Sequence, residues 1–139
     1  MITTIKKYSN IETLGIKDDV IMTDYLSDQL LSILYQNALL YVFPSINEGF
    51  GIPILEAFKS NIPVLIANNT CLPEIGGDAV IEFDPFNIDE MSTKIKYVLD
   101  NPTLQKDMIA RGQQRIEIFS WKNTAVSLIE VFKKAVAKN

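Results

Sequence analysis

Leu39-Leu40-Tyr41-Val42-Phe43-Pro44-Ser45-Ile46-Asn47-Glu48-Gly49-Phe50-Gly51-Ile52-Pro53-Ile54-Leu55-Glu56-Ala57 is the stretch that decides how this chain folds. Residues 39–43 form an uninterrupted apolar run of strand length, which is what a strand covered on both faces requires. Pro44 closes it, because proline has no amide hydrogen to give to a ladder. Residues 45–51 are a glycine-bearing loop, and a helix follows with Pro53 as its first residue, where a missing N–H costs nothing. That helix is expected to end near Ser60.

The same alternation of strand-length apolar runs and amphipathic stretches continues on both sides. Upstream, residues 4–14 read as a helix ending at Gly15, residues 20–22 as a short strand, and Asp24 and Tyr25 as a turn. Ser27 can cap a helix to about Asn37 with Leu30, Leu31, Leu34 and Tyr35 on its buried face. Downstream, residues 63–67 are a strand, residues 68–70 a polar turn, and residues 80–83 a short strand ahead of Asp84-Pro85. Helices are expected over residues 87–99, from Asn101-Pro102 to about Phe119, and from a Ser120 cap through residue 136. The fold class is α/β, a Rossmann-like parallel sheet sandwiched by helices, in a single domain over residues 1–139. A chain of this length buries roughly 65 to 70% of its unfolded surface, enough for a core without staples.

Composition excludes several functions. Asp and Glu number 17 against 13 Lys and Arg, a net charge of −4, so the basic field that binds nucleic acid is missing. With no His and one Cys, neither the usual zinc constellations nor a Ser-His-Asp triad can be built. The amino-terminal residues lack the apolar core of a signal peptide, and even residues 30–46 are broken by Ser32, Gln36, Asn37 and Ser45. No transmembrane segment is expected. The chain reads as cytoplasmic, or at most peripheral at the inner membrane face with a partner.

The chemistry lies in residues 45–57, at the C-terminal end of a parallel strand, where open α/β sheets bind ligands. Gly49 and Gly51 allow close backbone approach and unusual φ, and free N–H groups at the start of the following helix favour an anion such as a diphosphate. The two oxygens of a Glu56 carboxylate match the two hydroxyls of a ribose. Ser45-x-x-Glu48 has the spacing of a capping box, but a helix starting at Ile46 would enclose Gly49, Gly51 and Pro53, at a cost of about 3 kcal/mol for the proline alone. The helix therefore starts later and leaves Glu48 free. For Glu56, the competing reading is an acid that complements the helix dipole.

These residues resemble the E-x7-E segment of family 4 retaining glycosyltransferases, the GT-B enzymes that use nucleotide-activated sugars. The blocks Asp24-Tyr25-Leu26-Ser27-Asp28-Gln29-Leu30, Asn61-Ile62-Pro63-Val64, Leu72-Pro73-Glu74-Ile75 and Phe119-Ser120-Trp121 are similar to the same family in the same order. The resemblance runs from about residue 10 to residue 136. It implies a catalytic role for Glu48, touching donor-sugar hydroxyls during front-face transfer with retention. It also implies donor-site backbone at Gly49, Phe50 and Gly51, a ribose diol on Glu56, and a nucleobase near Tyr25 and Leu26. Family members commonly have Gly where Asp24 stands. No D-x-D motif is present, in keeping with metal-independent chemistry; no cofactor is implied, the nucleotide-diphosphate sugar being the donor substrate.

The resemblance covers only the later part of a GT-B C-terminal domain. The acceptor domain has no counterpart here, nor has the start of the nucleotide domain with the Arg and Lys that grip the diphosphate; Lys59 and Arg111 stand in no matching motif. Losing two charge-assisted contacts of roughly 1.5 to 3 kcal/mol each weakens donor binding by about 2 to 4 orders of magnitude. The expectation is a hexosyltransferase segment, inactive alone, serving a glycan or lipid acceptor and polysaccharide biosynthesis; the alternative is a non-catalytic nucleotide-sugar-binding or assembly module. Pro73-Glu74 reads as an ordinary helix start, Cys71 as an inert thiol, and Trp121 as a core anchor. Ala125, Leu128, Ile129, Phe132 and Val136 form an apolar stripe, which predicts contact with an acceptor-binding domain or a second copy through the C-terminal helices.

Overall fold

The computed structural model describes residues 10–137, which fall into two compact units divided between Leu31 and Ser32. In the first unit, residues 10–13 are helical and end at Gly15, whose φ of +66° is the left-handed conformation that glycine adopts without strain. Gly15 N–H donates to Glu12 O and Ile16 N–H to Ile11 O, the paired bonds of a Schellman stop. Residues 4–9 of the expected helix lie outside the described residues. A short 3-10 turn, Lys17–Asp19, follows.

The expected strand at residues 20–22 does not form: Val20 has extended backbone, but no ladder pairs it. Three apolar residues specify an extended path and not a partner. The chain bends at Tyr25, and Ser27 Oγ accepts from Leu30 N–H at 3.4 Å to cap helix α1, Asp28–Asn37.

Three parallel strands make the sheet of the second unit, β1 (Tyr41–Phe43), β2 (Val64–Ala67) and β3 (Val80–Phe83), in that spatial order. Tyr41 pairs with Val64, and Val64 with Val80. All four residues of β2 are buried because it is the central strand with helices on both faces. β1 departs from expectation. It is three residues long and half-buried, since it has a ladder on one side only among the described residues, and Leu39 is exposed.

Helix α2 (Ile52–Lys59) returns from the β1 loop and buries Ile54, Ala57 and Phe58. It stops at Asn61, a left-handed residue at φ +57°, with Asn61 N–H on Phe58 O and Ile62 N–H on Ala57 O. A five-residue helix, α3 (Leu72–Gly76), and a 3-10 turn (Gly77–Ala79) lead into β3. The remaining helices are announced by their caps: Asn87 for α4 (Ile88–Leu99), Asn101 for α5 (Pro102–Ile116) and Ser120 for α6 (Trp121–Val136). Each cap's side chain accepts from the backbone N–H three residues on.

On one face of the sheet, Leu65 and Phe83 pack with Val98 and Met108, joined by Leu40, Val42, Ile81, Met91, Ile95 and Leu104. Gly112 of α5 lies where a Cβ would come within 2.7 Å of the Phe58 ring, so α5 and α2 meet at close range. Helix α6 buries no residue. Trp121 is 86% exposed, not the core anchor expected from its aromatic character, while Leu128, Ile129, Phe132 and Val136 are exposed as the stripe reading requires. No helix among the described residues is long and apolar enough to cross a membrane.

Candidate functional site

The loop between β1 and α2 starts at the C-terminal end of a parallel strand, and the next connection, between β2 and α3, ties it down. Asn69 Nδ2 donates to Ile46 O at 2.9 Å. The Cys71 thiol donates to Glu48 O at 3.3 Å and to Phe50 O at 3.2 Å. Phe50 packs edge-on against Phe119, with ring centroids 5.8 Å apart, and the Arg115 guanidinium sits 5.4 Å above the Phe119 ring. Arg115 is fixed in turn by the carbonyls of Ile75 and Glu74.

The two glycines differ. Gly51 has φ +105°, and a Cβ there would lie 3.0 Å from Leu72 Cδ2 and 3.2 Å from Ile54 Cδ1, so the fold itself demands glycine. Gly49 lacks the positive φ expected of it, and nothing lies within 4 Å of the position its Cβ would take. Open space at Gly49 leaves the backbone accessible from outside. Phe50, beside it, is exposed.

Helix α2 begins at Ile52, one residue before the expected Pro53, with Gly51 as its N-cap. No side chain caps it and no acid lies in its first turn. Glu56, the fifth residue, therefore sits beyond the turn where it would complement the dipole. The capping-box reading of Ser45 and Glu48 also falls, because no helix starts there. Glu48 is nevertheless not without a partner: Ser45 Oγ donates to Glu48 Oε1 at 2.8 Å, which fixes the half-buried carboxylate in the loop.

Glu56 meets two tyrosines that the sequence reading did not count as site residues. Tyr35 Oη donates to Glu56 Oε2 at 3.4 Å, and the Tyr35 and Tyr41 rings lie 5.4 Å apart at 58°. Burial raises the pKa of the Tyr35 phenol, and Tyr41 and then the Glu56 charge add to the effect. Tyr41 is likewise raised, first by burial, with the charges of Glu56 and Glu48 adding to it. Both phenols thus stay protonated at neutral pH. A signal was available: a tyrosine inside an otherwise apolar strand needs a partner for its hydroxyl. Tyr25 and Leu26 lie in the first unit, in the irregular stretch ahead of α1. Glu74 is exposed on the short α3, as an ordinary helix start would have it.

A loop of this build can offer backbone, two carboxylates and an uncapped helix N-terminus to a polyhydroxylated, anionic ligand. The chain is 39% identical over 109 residues to the O-antigen chain mannosyltransferase B of Escherichia coli, covering 78% of this chain and 29% of that protein. It is 33% identical over 132 residues to the MMP alpha-(1->4)-mannosyltransferase of Mycolicibacterium hassiacum, covering 92% of this chain and 32% of that one. The chain thus spans about a third of the length of these curated relatives. Sucrose-phosphate synthase from Thermosynechococcus elongatus superposes with a TM-score of 0.84 at 19% identity, over 96% of this chain and 34% of that one, which shows the shared GT-B fold. The family model of the group 1 glycosyl transferases matches residues 5–115, and the chain belongs to that family.

Proposed function

We propose that this chain is the donor-binding segment of a retaining hexosyltransferase that takes a nucleotide-diphosphate sugar and serves a glycan or lipid acceptor. The observation that carries the reading is the β1–α2 loop, held by Asn69 and Cys71 so that the fixed Glu48 carboxylate and the open Gly49 backbone stand together ahead of an uncapped helix. Glu48 engages hydroxyls of the donor sugar, Gly49 to Gly51 line its phosphate side, and Glu56 accepts the ribose diol. The sugar is mannose, a choice supported by the names of the two relatives.

In the transfer step, the bond from the anomeric carbon to the diphosphate oxygen breaks and the nucleoside diphosphate leaves with the electron pair. The acceptor oxygen bonds that carbon on the same face, and its proton passes to the departing diphosphate. Fixed dipoles at the loop and helix start stabilise the charge that develops on the leaving group. The reaction is metal-independent and needs no cofactor. It takes place on the cytoplasmic side, with peripheral attachment to the membrane through a partner.

The chain alone binds donor weakly and transfers little, since its cations at Arg111 and Arg115 are bonded to Asp107, Asp78 and the α3 carbonyls. An acceptor-binding domain, or a second copy contacting the C-terminal helices, completes the enzyme. The test is an amide NMR titration of UDP-, GDP- and ADP-mannose into the chain, with Glu56→Ala as control. Shifts at Gly49 to Gly51 that vanish in the variant support the reading; no shift at millimolar ligand refutes it. Binding without transfer after an acceptor-domain protein is supplied would instead mark a non-catalytic module.

A further inference from the structure

We infer that Tyr35 is a positioning residue for the donor: its phenol holds the Glu56 carboxylate in the orientation that accepts a vicinal diol, and so sets the preference for ribose over deoxyribose. The inference rests on the reading of Glu56 as the diol receptor and extends it to a residue that has no role in that reading.

Tyr35 is 9% exposed, in the last turns of α1, and its ring is packed against Tyr41. Its hydroxyl reaches Glu56 Oε2 across 21 residues of sequence. The O···O distance of 3.4 Å is long for a phenol on a carboxylate. No Lys or Arg among the described residues forms an ion pair with Glu56, and no described donor reaches its Oε1. The carboxylate is therefore held at one oxygen, by a neutral donor, with the other oxygen free.

That arrangement suits a diol. A cation partner would draw the carboxylate into a bidentate pair and use both oxygens. An unheld glutamate would instead have to give up its rotamer freedom when ligand binds. A neutral phenol limits the rotamers while leaving Oε1 and the remaining lone pairs of Oε2 to two ligand hydroxyls. Phenylalanine would keep the ring contact with Tyr41 and lose only what the hydroxyl does, its bond to Glu56 and its hydrogen bonding with Tyr41.

The experiment measures, by NMR titration of the 139-residue chain, the affinities of GDP, UDP and ADP and of their 2′-deoxy counterparts. Wild type, Tyr35→Phe, Glu56→Gln and the double variant are compared. Tyr35→Phe is expected to weaken ribonucleotide binding by about 3- to 10-fold and leave the deoxynucleotides unchanged, so the ribose preference shrinks. Glu56→Gln is expected to abolish the preference, and Tyr35→Phe to add nothing in that background. A Tyr35→Phe preference equal to wild type, or an equal loss for both sugars, overturns the positioning role while leaving Glu56 as diol receptor. A preference that survives Glu56→Gln overturns the diol reading itself, whatever Tyr35 does. Absence of any shift with ribonucleotides at millimolar concentration refutes both. Glu56→Asp, which retracts the carboxylate from Tyr35, provides a second route to the same result: it should reproduce the loss of Tyr35→Phe, and an unchanged preference there counts against the inference.

Discussion

Replacing Gly51 by alanine should destabilise the fold, whereas replacing Gly49 should not. At φ +105° an L-residue at position 51 is strained by about 1 to 3 kcal/mol. Its Cβ would also press on Leu72 Cδ2 at 3.0 Å and Ile54 Cδ1 at 3.2 Å, both on fully buried side chains with little room to retreat. Overpacking of this kind adds about 1 kcal/mol at the low end of its range. Restricting the unfolded chain returns about 0.4 to 1 kcal/mol. The net loss is about 1 to 3.5 kcal/mol, read as a urea midpoint lowered by roughly 0.5 to 2.5 M at constant m value in far-UV circular dichroism. Gly49→Ala meets nothing within 4 Å and no unusual φ, so its stability should stay within about 0.5 kcal/mol of wild type while donor affinity falls. A Gly51→Ala loss below about 1 kcal/mol, or a Gly49→Ala loss above it, would refute this separation of folding glycine from binding glycine.

Further outcomes follow from other parts of the structure. Gly112→Ala drives a Cβ to 2.7 Å from the Phe58 ring, so the gain in helix propensity should be outweighed and the urea midpoint should fall, by about 1 to 2 kcal/mol. Tyr35 and Tyr41 have raised pKa values in the folded chain, so their contribution to stability is complete below the ordinary tyrosine range near 10 and is lost as pH rises through and above it. The urea midpoint should therefore drop between pH 9 and pH 11, by up to about 1.4 kcal/mol per pH unit for each group, and Tyr35→Phe should flatten that dependence. Trp121 is 86% exposed, so its fluorescence in dilute chain should match that of the urea-unfolded chain; a blue shift that grows with protein concentration and disappears in Phe132→Asp would identify α6 as a contact between copies.

What the sequence made legible was local. β2 could be read because four apolar residues stand between Pro63 and Asn68, and α4, α5 and α6 because Asn87, Asn101 and Ser120 each mark a start. The site loop and the late start of α2 were legible from the cost of enclosing Pro53 in a helix. Pairing was not legible: residues 20–22 look like the strands that do form, but a ladder is a long-range event that composition does not encode. Trp121 misled for the same reason, since an aromatic residue on an amphipathic helix has the same pattern whether or not anything covers it. The Tyr35 contact with Glu56 crosses 21 residues and has no periodicity to betray it. Ser45 and Glu48 are the instructive middle case: their spacing is that of a capping box, whose bonds to backbone N–H groups are not made, yet it brings Ser45 Oγ to donate to Glu48 Oε1 within a loop.

The loop and the connection that ties it down contain residues that folding alone does not call for. Asn69 gives one hydrogen bond to Ile46 O yet leaves its own Oδ1 buried without a donor, a desolvation cost of about 1 to 3 kcal/mol that offsets much of what the bond contributes. Cys71 is a weak donor for two carbonyls where a hydroxyl would bond more strongly. Gly49 gives up conformational entropy at a position where a side chain would meet nothing. Each choice is poor as a stabilising device, and all three act on the same eight residues between β1 and α2. Natural sequences break local rules of this kind mainly at functional sites. These choices fit the proposal that the loop serves to place Glu48 and the backbone beside it, while stability comes from the core below, where β2 is buried on both faces.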